Sequence, residues 1–154
     1  MPAYFLDSSA AVKRYVREIG TNWLIGLFRQ TPPNVFYAVR TTLAEVVSAF
    51  ARRLRGRSLT ASQAAKTKRR FERDFQSKFF KIEVDALLTE RAALLADKYA
   101  LRGYDAVQLA AALRADKARI SVGASSLIFL CSDKALINAA QSEGLAVDDP
   151  NSHP

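Results

Sequence analysis

The sequence has little of the side-chain chemistry on which most catalytic and metal sites depend. Its 154 residues include a single Cys and a single His. The lone Cys131 excludes an intramolecular disulfide and a cysteine-rich zinc site. The lone His153 lies one residue before the C-terminus, where we expect a frayed segment, and this argues against a Ser-His-Asp triad, a Cys-His pair or a histidine-built metal site. Any catalytic chemistry must therefore use carboxylates, hydroxyls, Lys or Arg side chains, or a metal ion with oxygen ligands.

Long apolar runs are also missing. No stretch approaches the roughly 20 residues that a membrane-spanning helix needs. The start of the chain, residues 1–7, lacks the basic region and the apolar core of a secretion signal. Because a lone cysteine fits a reducing compartment, we expect a cytoplasmic protein with no membrane partner. The length predicts one ordinary domain over residues 1–149, followed by a short C-terminal tail at 150–154.

Positive charge is abundant but unevenly placed. The chain has 23 Lys and Arg against 15 Asp and Glu, a formal net charge of +8. Residues 51–81 hold eleven of the basic residues and only two acidic ones, so the rest of the chain is close to neutral. One basic block on a neutral domain predicts a polyanionic partner such as nucleic acid. A solvated pair of helices rich in Arg and Lys explains the composition equally well.

Short apolar runs alternate with segments of helical periodicity. The runs that predict strands are 3–6, 35–39, 79–84 and 127–131, and the pattern allows a fifth at 145–147. Helices predicted over 41–55 and 60–77 would form a hairpin whose second helix is strongly basic. Such alternation is typical of parallel β-α-β units with helices on both faces of the sheet.

Two acidic residues directly follow predicted strands. Asp7 comes after the first strand, and Asp133 comes after the strand at 127–131. Sites in open parallel sheets form beyond the C-terminal ends of the strands, which makes both residues candidates for a functional role. A carboxylate between a strand and a helix also has an ordinary explanation, because it caps the helix N-terminus.

Two further acidic residues interrupt apolar helical segments. Glu45 lies almost opposite the stripe formed by Leu43, Val46 and Phe50, and this geometry permits an exposed side chain. Asp105 is explained equally well as a first-turn acid that the helix dipole favours. Four carboxylates that converge would repel one another unless a cation neutralised them, and an all-oxygen site suits Mg²⁺ or Mn²⁺.

Four segments of the sequence carry a resemblance to a known family. They are residues 4–15 (YFLDSSAAVKRY), 42–49 (TLAEVVSA), 103–112 (GYDAVQLAAA) and 129–136 (FLCSDKAL). Through them the chain resembles PIN-domain ribonucleases, specifically the toxins of VapBC-type toxin–antitoxin pairs, over nearly its whole length. The resemblance implies a single PIN domain: a three-layer α/β/α sandwich with a central parallel sheet of four or five strands and a protruding helical hairpin.

The resemblance also implies an acidic quartet as the catalytic site. Its members would be Asp7, Glu45, Asp105 and Asp133. Asp7 and Asp105 would be the surest ligands of a Mg²⁺ or Mn²⁺ cofactor, while Glu45 and Asp133 would complete the pocket through water or a second ion. The implied reaction is metal-dependent hydrolysis of RNA phosphodiester bonds, which needs no histidine.

Several neighbouring residues are candidates for supporting roles. Ser9 and Ser132 carry hydroxyls that could hydrogen-bond the acidic cluster. Cys131 stands where relatives often carry Thr, and we expect it to be a small buried hydrophobic residue. Asp148 and Asp149 are candidates for an extra acid, although a C-terminal turn explains them more simply.

Candidate substrate contacts come from the basic block. Arg52 lies seven residues after Glu45, two helical turns along the same face, where it could reach a phosphate. Arg53, Arg69 and Arg73 are further candidates as a set, whereas any one of them alone is more ordinarily a solvated surface residue.

The resemblance implies two protein partners in addition to RNA. One is a cognate VapB-like antitoxin, for which the hairpin at 41–78 is a candidate docking surface, and the other is a second copy in a homodimer. Two alternatives stay open: a PIN nuclease of RNA processing, and a non-catalytic basic domain that binds nucleic acid and uses its acidic residues as helix caps.

Overall fold

The computed structural model describes residues 1–154 and contains five strands, seven α-helices and a terminal 3-10 turn. The strands are β1 Ala3–Leu6, β2 Val35–Val39, β3 Phe79–Ile82, β4 Ile128–Leu130 and β5 Ala146–Asp148. The helices are α1 Ser8–Tyr15, α2 Thr21–Phe28, α3 Thr42–Arg55, α4 Ala61–Lys78, α5 Ala86–Tyr99, α6 Gly103–Ser121 and α7 Lys134–Ser142. All the predicted strands are present, including the fifth. None of the helices is both long and apolar enough to cross a membrane.

The five strands form one parallel sheet in the order β3-β2-β1-β4-β5. Phe5 at the centre pairs with Tyr37 on one side and with Phe129 on the other. The chain therefore adds strands on one side of β1 first and then crosses to the other side through β4. The carboxyl ends of β1 and β4 mark this change of direction, the point at which ligands bind in open α/β sheets.

Helices cover both faces of the sheet, which confirms the predicted three-layer architecture. Side chains of β1 alternate between the faces: Ala3 and Phe5 join a core with α5, α6 and α7, while Tyr4 and Leu6 join a core with α1 to α4. Because both faces are covered, β1 is buried along its whole length.

The basic block forms the hairpin of α3 and α4. Gly56 ends α3, and Thr60 begins α4 with a capping box in which its hydroxyl and the Gln63 side chain each bond the other's backbone N–H. Val46 and Phe50 of α3 and Phe71 and Phe75 of α4 are buried in the core on the α1 to α4 side of the sheet. Both helices of the hairpin are therefore packed on the domain, while most of its basic residues face outward.

The C-terminal segment is packed, and the expectation of a frayed His153 is wrong. Its ring stacks on Trp23 with centroids 3.9 Å apart, and it hydrogen-bonds Asp148 at 2.8 Å. Pro150 is buried beside Gly20, whose positive φ of 90° and lack of a side chain permit the close approach.

Candidate active site

A pocket of about 750 Å³ lies where β1 and β4 end, and all four predicted acids line it. Asp7 and the two serines after it come from the end of β1, while Ser132 and Asp133 follow β4. Glu45 enters from the first turn of α3 and Asp105 from the first turn of α6. Four segments that are far apart in the sequence thus meet at the change of direction in the sheet.

Asp7 is a helix cap and a pocket residue at the same time. Its Oδ1 accepts the N–H of Ala10 at 2.8 Å, and the Ser9 hydroxyl donates to the carboxylate at 2.7 Å. The side chain is buried, and this burial raises the pKa of Asp7 to about 6. Bonds from Ala10, Ser9 and Cys131 oppose the increase, while the negative charge of Asp105 adds to it.

Asp133 has the same double role at the next strand. Its Oδ1 accepts the N–H of Leu136 at 2.9 Å and so caps α7, while the side chain lines the pocket. The ordinary explanation for the acids after β1 and β4 is therefore correct, and it does not compete with a functional role. A carboxylate has two oxygens, and capping uses one of them.

Glu45 is half-buried in the pocket wall rather than exposed opposite the apolar stripe. The Ser8 hydroxyl donates to its carboxylate, and Gln108 in turn donates to Ser8 Oγ at 2.8 Å and to Thr42 Oγ1 at 3.2 Å. Burial raises the pKa of Glu45, with a contribution from Asp105, and the bonds from Ser8 and Gln108 oppose it.

Gln108 is the residue that the sequence interpretation missed here. Its side chain is 1% exposed, and it joins α6 to the start of both α1 and α3. The signal in the sequence was its position, about one helical turn after Asp105 within the apolar first half of the helix, because a buried amide needs hydrogen-bond partners.

Asp105 is the acid whose charge reaches the other three. Burial raises the pKa of Asp105, the charge of Asp133 adds to the increase, and Arg102 opposes it. Asp105 in turn contributes to the raised pKa of both Asp7 and Glu45. The pocket thus holds carboxylates that repel one another, the electrostatic setting that a cation relieves.

The donor set fits a hard divalent ion. Besides the carboxylates, two buried oxygens of the pocket lining have no hydrogen-bond partner, the hydroxyl of Ser132 and the amide Oε1 of Gln108. No group of three or more acidic, Cys or His side chains is arranged so that its members could share one ion. The fit is therefore to an ion with one or two protein carboxylates and otherwise water or phosphate oxygens, the usual coordination of Mg²⁺.

The supporting residues lie as follows. Ser9 bridges the two strand ends, because its Oγ donates to Asp7 and accepts the backbone N–H of Ser132 at 3.3 Å. The Ser132 hydroxyl itself bonds no member of the cluster. Cys131 is buried, as expected, and its sulfur accepts the Asp133 N–H at 3.3 Å. Burial and the neighbouring Asp7 raise the pKa of the Cys131 thiol.

The predicted substrate contacts separate into two groups. Arg52 and Arg53 line the pocket, whereas Arg69 and Arg73 are exposed on α4 outside its lining. Pocket residues that sequence reasoning did not single out are Lys13, Glu18, Arg102 and Tyr104.

The two C-terminal acids lie outside the pocket lining. Asp148 ends β5 and bonds His153, while Asp149 caps the terminal turn through Asn151.

Comparisons with known proteins agree with this geometry. The chain is 33% identical over 147 residues to Ribonuclease VapC45 and to Ribonuclease VapC49, both from Mycobacterium tuberculosis, an alignment that covers 96% of this chain and 95% of each relative. No family model matches the chain.

Solved structures share the fold at lower identity. PAE2754 from Pyrobaculum aerophilum superposes with a TM-score of 0.61 at 18% identity, covering 98% of this chain and 91% of that one. VapBC2 from Rickettsia felis, bound to a promoter DNA fragment, gives 0.58 at 15% identity over 96% and 98% of the two chains. FitAB bound to the IR36 DNA fragment gives 0.61 at 16% identity over 96% and 94%. The sequence identity to the two mycobacterial ribonucleases, over nearly the whole chain, establishes that this protein belongs to the VapC family of PIN-domain ribonucleases.

Proposed function

We propose that the chain is a VapC-like toxin that hydrolyses RNA phosphodiester bonds with Mg²⁺ or Mn²⁺ and is neutralised by a cognate VapB-like antitoxin. The observation that carries the proposal is the convergence of four carboxylates, from four separate segments, in one pocket that holds no histidine. Membership of the VapC family supports the ribonuclease activity. The VapBC and FitAB complexes share the fold and make an antitoxin partner the natural expectation.

Each acid has a role that its surroundings support. Asp7 and Asp105 would hold the metal ion, which when bound activates water and stabilises the negative charge on the departing oxygen. Glu45 is held by Ser8 and has a raised pKa, so it is suited to accept a proton from the attacking water. Asp133 would complete the pocket through water or a second ion. Arg52, on the pocket wall, would contact a substrate phosphate.

The test is cleavage of RNA by the purified chain with Mg²⁺, with Mn²⁺ and with a chelator. We expect cleavage only with a divalent ion, and we expect Mn²⁺ to raise the melting temperature by several degrees because the ion binds only the folded state. Cleavage that persists in chelator would contradict the metal role. The absence of both cleavage and Mn²⁺ stabilisation would instead favour the alternative of a non-catalytic domain whose acidic residues are helix caps.

For the homodimer we propose a second copy of the chain on the outer face of α5 and α6. Leu87 and Leu94 lie seven residues apart on α5 and are 72% and 73% exposed, and Ile120 on α6 is 55% exposed. Charges of both signs surround them: Glu90, Arg91, Asp116 and Lys117. A two-fold contact requires such a self-complementary patch, whereas a polyanion would prefer the basic hairpin.

Changing Leu94 to Glu should therefore convert a dimer into a monomer, because two new charges would face each other across the two-fold axis. Sedimentation velocity of the wild type and the variant measures this. Leu54→Glu is the matched control, since Leu54 is an exposed leucine on α3 outside this face. Equal masses for all three chains would rule out this surface as the dimer contact.

A further inference from the structure

One wall of the pocket carries a group of charges that the acidic site does not use. Glu18 accepts hydrogen bonds from two cations there, from Lys13 Nζ at 3.0 Å and from Arg53 Nη2. Lys13 belongs to α1, Arg53 to α3, and Glu18 to the segment between α1 and α2. All three line the pocket, and we refer to them as the Glu18 triad.

The triad is a partly buried group of charged side chains with a net positive charge. The side chains of Lys13, Glu18 and Arg53 are 11%, 29% and 30% exposed. Burial raises the pKa of Glu18, but the bonds from its two partners outweigh this effect and leave the pKa below its usual value, so Glu18 is charged. Two cations and one anion leave a surplus of one positive charge at the pocket wall.

The cations keep donors to spare. An ammonium group has three N–H donors and a guanidinium group has five, and Glu18 takes one from each. The remaining donors of Lys13 and Arg53 are therefore available to a second anion in the same pocket.

The segment that carries Glu18 has a second attachment to α1 that does not involve the triad. Thr21 connects the segment between α1 and α2 to α1. Its hydroxyl donates to the Lys13 carbonyl at 2.7 Å and accepts the Glu18 N–H at 2.9 Å. The Lys13–Glu18 ion pair is therefore additional to this connection, whereas the Arg53–Glu18 pair joins the segment to α3.

The direction of α3 relates the triad to the acids. Glu45 lies in its first turn, and Arg52 and Arg53 lie in its last turn. With 1.5 Å of rise per residue, Glu45 and the two arginines are separated by about 10 Å along the axis of α3. The pocket is thus negative where the β-strands end and positive at the far end of α3. This arrangement suits an RNA segment with one phosphate at the metal-binding acids and a neighbouring phosphate at the cations.

We propose that Lys13 and Arg53 form a phosphate subsite for a nucleotide flanking the bond that is cut, and that Glu18 is the resident anion that holds the two cations together and partly neutralises them. The inference rests on the proposed function, because it places an RNA strand in the pocket. It adds two residues, Lys13 and Glu18, to the substrate-binding surface.

The experiment measures binding of a short labelled single-stranded RNA to the Asp105→Asn chain in Mg²⁺ by fluorescence anisotropy over a range of salt concentrations. Arg53→Gln should weaken binding about tenfold, the order expected for losing a charge-assisted hydrogen bond. It should also reduce the slope of log Kd against log salt by about 0.7, the value for one phosphate contact on a single strand. Lys13→Gln should act in the same direction.

Glu18→Gln should tighten binding about threefold, the order expected when one negative charge is removed from the neighbourhood of a phosphate. Weaker binding by this variant would contradict the resident-anion role. The side chains of Arg53 and Glu18 are partly exposed and do not belong to the hydrophobic core, and thermal melts check that both variants fold.

The matched control is Arg55→Gln, which removes the same charge from an exposed position on α3 outside the pocket. If Arg53→Gln and Arg55→Gln weaken binding equally, the hairpin attracts RNA only through its overall charge and the subsite is overturned. Failure of the proposed function gives a different result, because a chain that is not a ribonuclease shows no cleavage by the wild type whatever its affinity for RNA.

Discussion

Replacing Asp105 with Asn should lower the rate of RNA cleavage by about 100-fold or more, while the fold is retained. The expected magnitude is that of removing one charged group from a catalytic centre. We expect this large effect because Asp105 is a proposed metal ligand whose charge also contributes to the raised pKa of Asp7 and of Glu45. The substitution also relieves repulsion within the pocket, and so the variant should be at least as stable as the wild type without metal.

Initial rates of RNA cleavage in Mg²⁺ or Mn²⁺, together with thermal melts, measure this prediction. Asp7→Asn should behave in the same way, since Asn keeps an oxygen that can cap α1. Asp97→Asn, an exposed change on α5 outside the pocket, is the matched control and should cleave at the wild-type rate. Full metal-dependent cleavage by both pocket variants would remove the acidic quartet from the reaction.

The fold could be predicted because its signals are local. Apolar runs of strand length, separated by helical periodicity, specify parallel β-α-β units, and the structure contains each of them. Two of the four acids, Asp7 and Asp133, could be found in the same way, because they directly follow strands. The family resemblance added Glu45 and Asp105. Local patterns do not show at which edge of the sheet each later strand is added. The addition of β4 next to β1 brings Asp133 close to Asp7.

The contacts around the acids could not be read from the sequence. Glu45 belongs to a helix whose apolar stripe faces elsewhere. Only the packing of α1, α3 and α6 shows that Ser8 donates to its carboxylate and that Gln108 donates to Ser8. Arg53 and Arg73 are equivalent as members of a basic block. The structure distinguishes them, because Arg53 reaches a carboxylate on the pocket wall while Arg73 is exposed outside the pocket. Charge composition thus predicts the class of partner, whereas tertiary contacts decide which charges meet it.

The position of His153 shows why scarcity is informative. The only histidine stacks on Trp23 at the C-terminal end of the chain and does not line the pocket. In the proposed reaction, proton transfer therefore falls to carboxylates, and the pocket contains three whose raised pKa has burial as its main cause: Asp7, Glu45 and Asp105. Burial that weakens acidity is costly to a folded protein, and this cost can be measured.

Without metal, the free energy of unfolding should fall as the pH rises from about 4 to about 6, and Asp7 should account for about 3 kcal/mol of the loss. The pKa of Asp7 is 3.8 before folding and about 6 in the folded chain. Between these values the folded state keeps a proton that the unfolded state has released, so each increase in pH favours unfolding. Below pH 4 both states are protonated and the contribution is complete, and above pH 6 it is lost.

Urea unfolding in chelator at pH 4, 5, 6 and 7 measures this dependence for the wild type and Asp7→Asn. The variant carries no titrating group at position 7, so it should gain about 3 kcal/mol on the wild type between pH 4 and pH 7. Asp97→Asn should follow the wild type across the range. A constant difference between wild type and Asp7→Asn would mean that the Asp7 carboxylate is not disfavoured in the folded state. The pocket would then lack the electrostatic strain that a divalent ion is proposed to relieve.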